Sequence, residues 1–155
     1  MPGNKVKAFL DENEVRYVSI QHSRAYTAQE VAESAHVPGH ELAKTVMVKL
    51  DGTLAMAVVP AVFNIDLELL RGAAGAGTAT LASENEFKTR FPDCQPGAMP
   101  PFGNLYGMRV YADEGLSDEE MIAFNAGSHV EIIRMTYSDF ERLVEPKLAR
   151  IADVP

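Results

Sequence analysis

Hydrophobic positions recur with two different periods along the chain. Near the start, Val6, Phe9 and Leu10 repeat every three to four residues, which predicts a helix over 5–13. The segment 15–21 (VRYVSIQ) alternates apolar and polar residues instead, as a half-buried strand does. Both periods return further along, so we expect helices and strands to interleave.

The segment 45–61 (TVMVKLDGTLAMAVVPA) contains two β-rich runs that flank Asp51-Gly52. This pair favours the positive φ angles of a tight turn, so we predict a β-hairpin whose second strand ends at Pro60. A hairpin is an antiparallel pair, which does not belong in a doubly wound parallel sheet. The predicted fold class is α+β, with a mixed, largely antiparallel sheet surrounded by helices.

Capping patterns predict where several helices begin and end. Thr27 to Glu30 forms one capping box, opening a helix that stops before Pro38-Gly39. Ser83 to Glu86 forms a second, opening a helix that Pro92 terminates. The other predicted elements are a short helix after Asn64 or Asp66, strands near 105–111, 120–125 and 130–135, and a last helix capped by Ser138.

Composition narrows the class of protein. The chain has 155 residues, enough for one domain over 1–155 to bury a core, and its one cysteine, Cys94, fits a reducing cytoplasm. The sequence has no apolar run of membrane-spanning length and no signal-peptide pattern at its start. The formal net charge of −8 argues against broad adhesion to DNA or RNA, which needs many Lys and Arg residues against phosphates.

Lys44 is the first candidate for chemistry because it stands at the entry of an apolar strand (ELAKTVMV). In a structural interpretation, its stem lies along the edge of the core while its ammonium stays in water. In a functional interpretation, a lysine at the mouth of a pocket meets a carbonyl oxygen or a phosphate. Its position alone favours the structural interpretation.

The four histidines carry different signals. His36 and His40 have the i, i+4 spacing of a metal pair, but Pro38-Gly39 breaks the helix between them, and no third ligand follows at a matching spacing. No metal site is therefore predicted. His22 ends a predicted strand, where a structural role is favoured. His129 lies in FNAGSHVEI, whose small residues let a ligand approach the backbone closely.

Two other features are weak candidates. Cys94 could act as a nucleophile, but the neighbouring Asp93 would raise its pKa. The glycine run 72–77 (GAAGAG) lacks the Lys-Ser/Thr ending of a phosphate-binding loop and is interpreted as a flexible connection.

The segment 95–103 (QPGAMPPFG) holds three prolines and two glycines in nine positions. In one interpretation it is a stiff surface loop that packs Met99 and Phe102 inward. In the other, prolines fix the frame and aim the remaining N–H groups at developing negative charge. Those N–H groups belong to Gly97, Ala98, Met99, Phe102 and Gly103. The loop by itself favours neither interpretation.

Taken together, LAKTVMVKLDGTLAMAVVPA, GAMPPFG and NAGSHVEI followed by SDF resemble the YbaK / prolyl-tRNA-editing superfamily over about 17–143. The specific signal is Ala-Lys-Thr at a strand entry combined with a later Gly-x-x-x-Pro-x-Gly loop. The resemblance implies a mixed, β-barrel-like sheet with surrounding helices. It also implies hydrolysis, without a cofactor, of the ester that joins a wrong amino acid to the 3′ end of a tRNA.

The resemblance also implies roles for individual residues. Lys44 becomes the essential lysine, and the loop from Gly97 to Gly103 presents backbone donors to the ester carbonyl. Water attack assisted by the neighbouring ribose hydroxyl removes the need for a nucleophilic side chain. Because one methylene is worth only about 1–3 kcal/mol, exclusion by size fits small substrates such as Ala or Ser. The implied substrate-binding residues are His22, Tyr26, Thr45, Met99, Pro101, Phe102, Asn125, Gly127, Ser128 and His129.

The negative charge leaves two routes to tRNA. One is a local basic face, for which the candidates are Lys44, Lys49, Lys88, Arg90 and Arg109. The other is presentation of the tRNA by an aminoacyl-tRNA synthetase partner. Two further function classes stay open: a non-catalytic module that binds an amino acid, an aminoacyl analogue or a protein, and a thiol hydrolase that uses Cys94.

Overall fold

The computed structural model describes residues 4–153, apart from the side chains of residues 28 and 29. The helices are α1 (Asn4–Glu12), α2 (Ala28–Ala35), α3 (Leu67–Ala74), α4 (Glu84–Phe87), α5 (Glu114–Ser117) and α6 (Tyr137–Val144). The strands are β1 (Tyr17–Gln21), β2 (Ala43–Leu50), β3 (Thr53–Pro60), β4 (Asn64–Ile65), β5 (Ala79–Leu81), β6 (Val110–Asp113), β7 (Met121–Ser128), β8 (Glu131–Thr136), β9 (Lys147–Ala149) and β10 (Ala152–Asp153). Within the described range, every helix is too short or too polar to cross a membrane.

The strands form two main sheets and one short pair. An antiparallel sheet has the order β1-β8-β7, and a larger sheet has the order β5-β2-β3-β6-β9. In the larger sheet, β2 pairs antiparallel with both neighbours, while β3 with β6 and β6 with β9 are parallel. The α+β class with a mixed sheet is therefore confirmed. The sheets do not close into a barrel, which corrects the barrel-like arrangement that the resemblance implied.

The hairpin of β2 and β3 is confirmed. Its register pairs Leu50 with Thr53 across the turn. Asp51 and Gly52 have φ angles of 50° and 83°, the positive values that a tight turn of this kind requires. The Asp51 carboxylate also accepts hydrogen bonds from the N–H group of Gly77, at 2.9 Å, and from the following N–H group. The turn is thus tied to the segment that follows α3.

The main core combines the inner faces of the two sheets. Alternate side chains of β2 and β7, such as Met47 and Phe124, point into it. Phe102 is fully buried there and packs against the rings of Phe9, Phe124 and Phe140, with centroids 5.3 to 6.1 Å away. Aromatic rings at these separations attract one another beyond the area that they bury. The proline-rich segment is therefore anchored in the core by its own phenylalanine.

Several elements differ from the sequence predictions. Helix α6 is capped by Thr136, whose hydroxyl accepts from the Asp139 N–H at 3.3 Å, and not by Ser138. The strand predicted near 105–111 begins only at Val110, because Gly103–Leu105 forms a 3₁₀ turn. Helix α4 ends well before Pro92, and a 3₁₀ turn takes up part of the gap. Strands β5 and β9 were not predicted, since neither short run shows alternation.

Asp113 fixes the end of the chain to the larger sheet. Its side chain is buried, with the residue only 2% exposed. One carboxylate oxygen accepts hydrogen bonds from the N–H groups of Ile151 (2.9 Å) and Ala152 (3.1 Å), and the other accepts from Gly115 (2.9 Å). Three backbone donors therefore replace the water that a buried carboxylate loses.

We predict that Asp113→Ala lowers the free energy of unfolding by about 2–4 kcal/mol, because it leaves buried N–H groups without an acceptor. Urea denaturation followed by circular dichroism measures this change. Asp153→Ala is the matched control. The Asp153 side chain is 56% exposed and its ion pair with Arg150 is long at 3.8 Å, so we expect a change within about 0.5 kcal/mol. Equal effects of the two substitutions would contradict the assignment.

Candidate active site

The outer edge of β7 brings separate parts of the chain together. β7 lies at the edge of its sheet, so its outward backbone groups need partners from elsewhere. Ala123 donates its N–H to the carbonyl of Glu41 at 2.9 Å, and Leu42 forms a parallel bridge to Ala123. Gly127 donates its N–H to the carbonyl of Ala98, also at 2.9 Å. One strand edge thus holds both the entry of β2 and the proline-rich loop.

Lys44 lies where the two sheets meet. It comes two residues after Leu42, whose parallel bridge to Ala123 joins the entry of β2 to β7, and Asn125 comes two residues after Ala123. Lys44 is half-buried, and this burial lowers the pKa of its ammonium because the charged form loses hydration. Among the described residues, no carboxylate lies within ion-pair distance of it. Such a cation has unused capacity for a negatively charged or carbonyl ligand.

The proline-rich loop is fixed to the end of β7 and to His129. Gln95 donates its N–H to the carbonyl of Gly127 at 2.7 Å, and its side-chain oxygen accepts the His129 N–H at 2.9 Å. Gly127 sits in a β-bulge with a φ of 95°, which suits glycine. The bulge turns its backbone groups towards the loop. These bonds restrain the loop in addition to its prolines.

The N–H groups of the loop divide into used and unused donors. Ala98 donates to the Gln95 carbonyl at 3.0 Å and Phe102 to the Pro100 carbonyl at 2.8 Å, so these two N–H groups are committed inside the loop. This finding corrects the expectation that all five remaining N–H groups face a ligand. Within the described part of the chain, the N–H groups of Gly97, Met99 and Gly103 meet no protein acceptor.

His129 has a defined protonation pattern. Its Nε2 lies 2.9 Å from the Pro96 carbonyl, which can only accept, so Nε2 carries the proton. In the neutral ring, Nδ1 is then a hydrogen-bond acceptor. His129 is only 8% exposed, and its Nδ1 is buried without a partner among the described residues. The Tyr26 ring covers this histidine with a centroid separation of 4.7 Å.

Two more buried polar atoms without described partners lie nearby in the fold. They are Oδ1 of Asn125 and Nε2 of His22. The backbone N–H of His22 donates to the Val130 carbonyl at 2.8 Å, which places it beside the residue that follows His129. A buried acceptor without a partner costs about 1–3 kcal/mol, so these three atoms mark a polar cluster just beneath the surface beside the proline-rich loop.

The structure does not bring every predicted residue to this surface. Thr45 lies on the opposite face of β2 from Lys44, since adjacent side chains of a strand alternate. The Ser128 hydroxyl accepts from the Val130 N–H at 3.4 Å and closes the β7–β8 turn. The side chains of Met99, Pro101 and Phe102 are buried. Met99 and Phe102 thus pack inward, as one of the two interpretations of the loop predicted, while the backbone of the loop faces β7. Gly103 packs tightly: an added Cβ would lie 2.7 Å from the Met108 carbonyl oxygen.

Cys94 is in an environment that suppresses nucleophilicity. Burial, with a smaller contribution from the neighbouring Asp93, raises the pKa of its thiol to about 11. Its sulfur lies 3.6 Å from the hydroxyl of Tyr106, which in turn donates to the Asp93 carboxylate at 3.0 Å. Thiol catalysis requires a thiolate, which burial and the Asp93 carboxylate disfavour.

Three of the other candidate basic residues have partners or positions away from Lys44. Lys49 lies on the opposite face of β2 and pairs with Glu86 at 2.5 Å. Arg90 donates to the Tyr106 carbonyl at 3.2 Å. Arg109 lines a groove of about 500 Å³ near the turn of the hairpin, at the far end of β2 from Lys44. This groove does not include Lys44, so it is separate from the candidate site.

Two positioning residues were missed by sequence reasoning. Gln95 bridges the loop to His129, 34 positions away, and no local pattern announces such a partner. Glu41 pairs with Arg134 of β8 at 2.7 Å while its carbonyl bonds to β7, so it fixes the entry of β2 from two sides. Within residues 4–153, no three His, Cys, Asp or Glu side chains gather as metal ligands would.

Comparison with known sequences gives one family and curated relatives. The model of the family "Aminoacyl-tRNA editing domain" matches residues 22–143. Proline–tRNA ligases from two strains of Staphylococcus epidermidis are 28% identical over 117 residues, covering 76% of this chain and 19% of each ligase. The chain thus spans about a fifth of the length of these relatives.

Comparison with solved structures shows the same fold. The hypothetical protein APE2540 aligns with a TM-score of 0.85 at 18% identity, covering 97% of this chain and 100% of that one. A candidate trans-editing enzyme for prolyl-tRNA synthetase aligns with a TM-score of 0.82 at 18% identity, covering 97% and 96%. The family match spans most of the chain and includes Lys44, the proline-rich loop and His129. This protein therefore belongs to the aminoacyl-tRNA editing domain family.

Proposed function

We propose that this protein hydrolyses the ester bond of mischarged aminoacyl-tRNA, with Lys44 as the essential cation. The observation that carries the proposal is the outer edge of β7. Two residues before Asn125 this edge binds the entry of β2, and two residues after Asn125 it binds the proline-rich loop. These two attachments support a site in which the half-buried Lys44 ammonium and the backbone donors of the loop act on the same substrate. Membership of the editing family supports the class of reaction.

The proposed reaction adds water to the carbonyl carbon of the ester. Negative charge develops on the carbonyl oxygen, where the Lys44 ammonium and the N–H groups of Gly97 and Met99 stabilise it. The bond from that carbon to the ribose oxygen then breaks, the ribose oxygen receives the proton that the attacking water gives up, and the amino acid leaves. A neighbouring ribose hydroxyl of the substrate orients the water. No side chain is required as nucleophile or general base.

The substrate we propose is a tRNA that carries a small amino acid such as alanine or serine. Every aminoacyl ester has an α-ammonium group, and the acceptors Asn125 Oδ1 and His129 Nδ1 suit it. We infer that larger side chains are excluded by size, because one methylene contributes only about 1–3 kcal/mol to positive selection. The proposed setting is the cytoplasm, with the tRNA 3′ end bound directly or presented by an aminoacyl-tRNA synthetase.

We predict that Lys44→Ala lowers kcat/KM for a mischarged tRNA at least about 100-fold, because one preorganised group at an oxyanion is worth that much. A panel of tRNAs charged with alanine, serine, cysteine and proline, assayed for release of the amino acid, measures the change. Lys147→Ala on the edge strand β9 is the matched control and should leave the rate unchanged.

Two results would contradict this proposal. The first is the absence of hydrolysis of every ester in the panel by the wild-type protein, and the second is full activity of Lys44→Ala. If thermal shifts showed stabilisation by amino acids or aminoacyl-adenylate mimics without any turnover, the non-catalytic binding module would be favoured instead.

We predict that Gln95→Leu lowers both activity and stability, whereas Gln95→Glu keeps both. Leucine removes the oxygen that accepts the His129 N–H, leaving a donor unpaired at a cost of about 1–3 kcal/mol, while a glutamate oxygen can still accept it. Urea denaturation and the deacylation assay report the two effects. Wild-type behaviour of Gln95→Leu in both assays would show that the loop does not depend on this bond.

We predict that Cys94→Ser retains at least half of the wild-type rate. With a pKa of about 11, only about one thiol in ten thousand is ionised at pH 7. The deacylation assay of Cys94→Ser provides the measurement. Wild-type protein, assayed before and after treatment with a thiol-alkylating reagent, provides a second one. A rate reduced 100-fold in Cys94→Ser would instead favour the thiol hydrolase.

A further inference from the structure

Tyr26 is an exposed aromatic side chain on a fixed backbone. Its side chain lies in the segment between β1 and α2 and is 64% exposed. The Ala25 N–H donates to the His129 carbonyl at 3.1 Å, and the next residue, Thr27, caps α2 through a reciprocal pair of hydrogen bonds with Glu30. Both neighbours of Tyr26 are therefore held, and the ring is presented to solvent from a defined position.

The inner side of this ring rests on the candidate active site. Tyr26 and His129 have a centroid separation of 4.7 Å and an interplanar angle of 46°. His129 is itself bound to the proline-rich loop through Gln95 and Pro96. One side of the tyrosine is thus supported by a buried residue of the site, while much of the ring stays accessible.

Other exposed apolar side chains do not share this arrangement. The large ones among the described residues are Val18, Val62 and Leu81, all aliphatic. Single exposed apolar residues are common and need no explanation. Tyr26 differs because it is aromatic and because its support, His129, carries an unpartnered acceptor. A ligand that is flat at one end and carries hydrogen-bond donors at the other fits this combination.

We propose that the Tyr26 ring is the stacking surface for the terminal adenine base of the aminoacyl-tRNA. The inference rests on the proposed function and specifies how that substrate is held. Bases of single-stranded RNA ends stack on exposed aromatic side chains, and the contact tolerates a protein of negative net charge because it is not electrostatic. Stacking on Tyr26 would place the ribose and its ester next to His129 and Asn125.

The test compares two esters of the same amino acid, one on tRNA and one on ethanol. Tyr26→Leu should lower kcat/KM for the aminoacyl-tRNA about 5- to 150-fold, the range found when a stacking ring is removed. It should leave hydrolysis of the ethyl ester unchanged, because that substrate has no base. Tyr26→Phe should keep the activity on tRNA, and Leu81→Ala on β5 should behave as the wild type.

Two outcomes would overturn the inference while leaving the proposed function intact. They are wild-type activity of Tyr26→Leu on tRNA, and an equal loss on both esters, which would show that the ring only supports His129. If the wild type hydrolyses no ester, the proposed function fails. The stacking surface is then tested alone with a non-hydrolysable aminoacylamido nucleoside that carries 2-aminopurine. If wild type and Tyr26→Phe quench the 2-aminopurine fluorescence and Tyr26→Leu does not, the stacking surface is supported. Equal 2-aminopurine fluorescence with all three proteins overturns it.

Discussion

The unpaired edge of β7 is the constraint on which the candidate site depends. An edge strand presents N–H and carbonyl groups that must find partners, and here two distant segments supply them. The carbonyl of Glu41 takes one N–H, and the Ala98 carbonyl takes another four residues along. These bonds join the larger sheet to the smaller one at the entry of β2. They also seat the proline-rich loop, so one strand edge sets the position of Lys44 relative to the loop.

The proline-rich loop has two functions that use different parts of the same residues. Its side chains belong to the core, where Phe102 packs among three other phenylalanine rings. Its backbone faces β7 and His129, through the carbonyls of Pro96 and Ala98. Burial of the side chains gives the backbone a rigid support. The N–H groups of Gly97 and Met99 can then hold a fixed direction without reorganising when charge develops.

The chemistry of the site requires little from any one side chain. An aminoacyl ester is reactive, so the proposed reaction needs only a positioned cation and backbone donors. The partial burial of Lys44 suits its proposed role, because a half-dehydrated ammonium without a described carboxylate partner gains most from a carbonyl oxygen with growing negative charge. Burial makes Cys94 less suited to catalysis, because it favours the neutral thiol over the nucleophilic thiolate.

The sequence by itself determined the hairpin at Asp51-Gly52, the capping box at Thr27 and the α+β class, because these depend on local backbone preferences and on periodicity. Motif resemblance also indicated the editing family. Only the tertiary structure decided that the sheets stay open and that Gln95 holds His129, because both depend on hydrogen bonds between segments far apart in the chain. The same holds for the outer edge of β7: no local pattern reveals which distant carbonyl satisfies a strand's outward N–H.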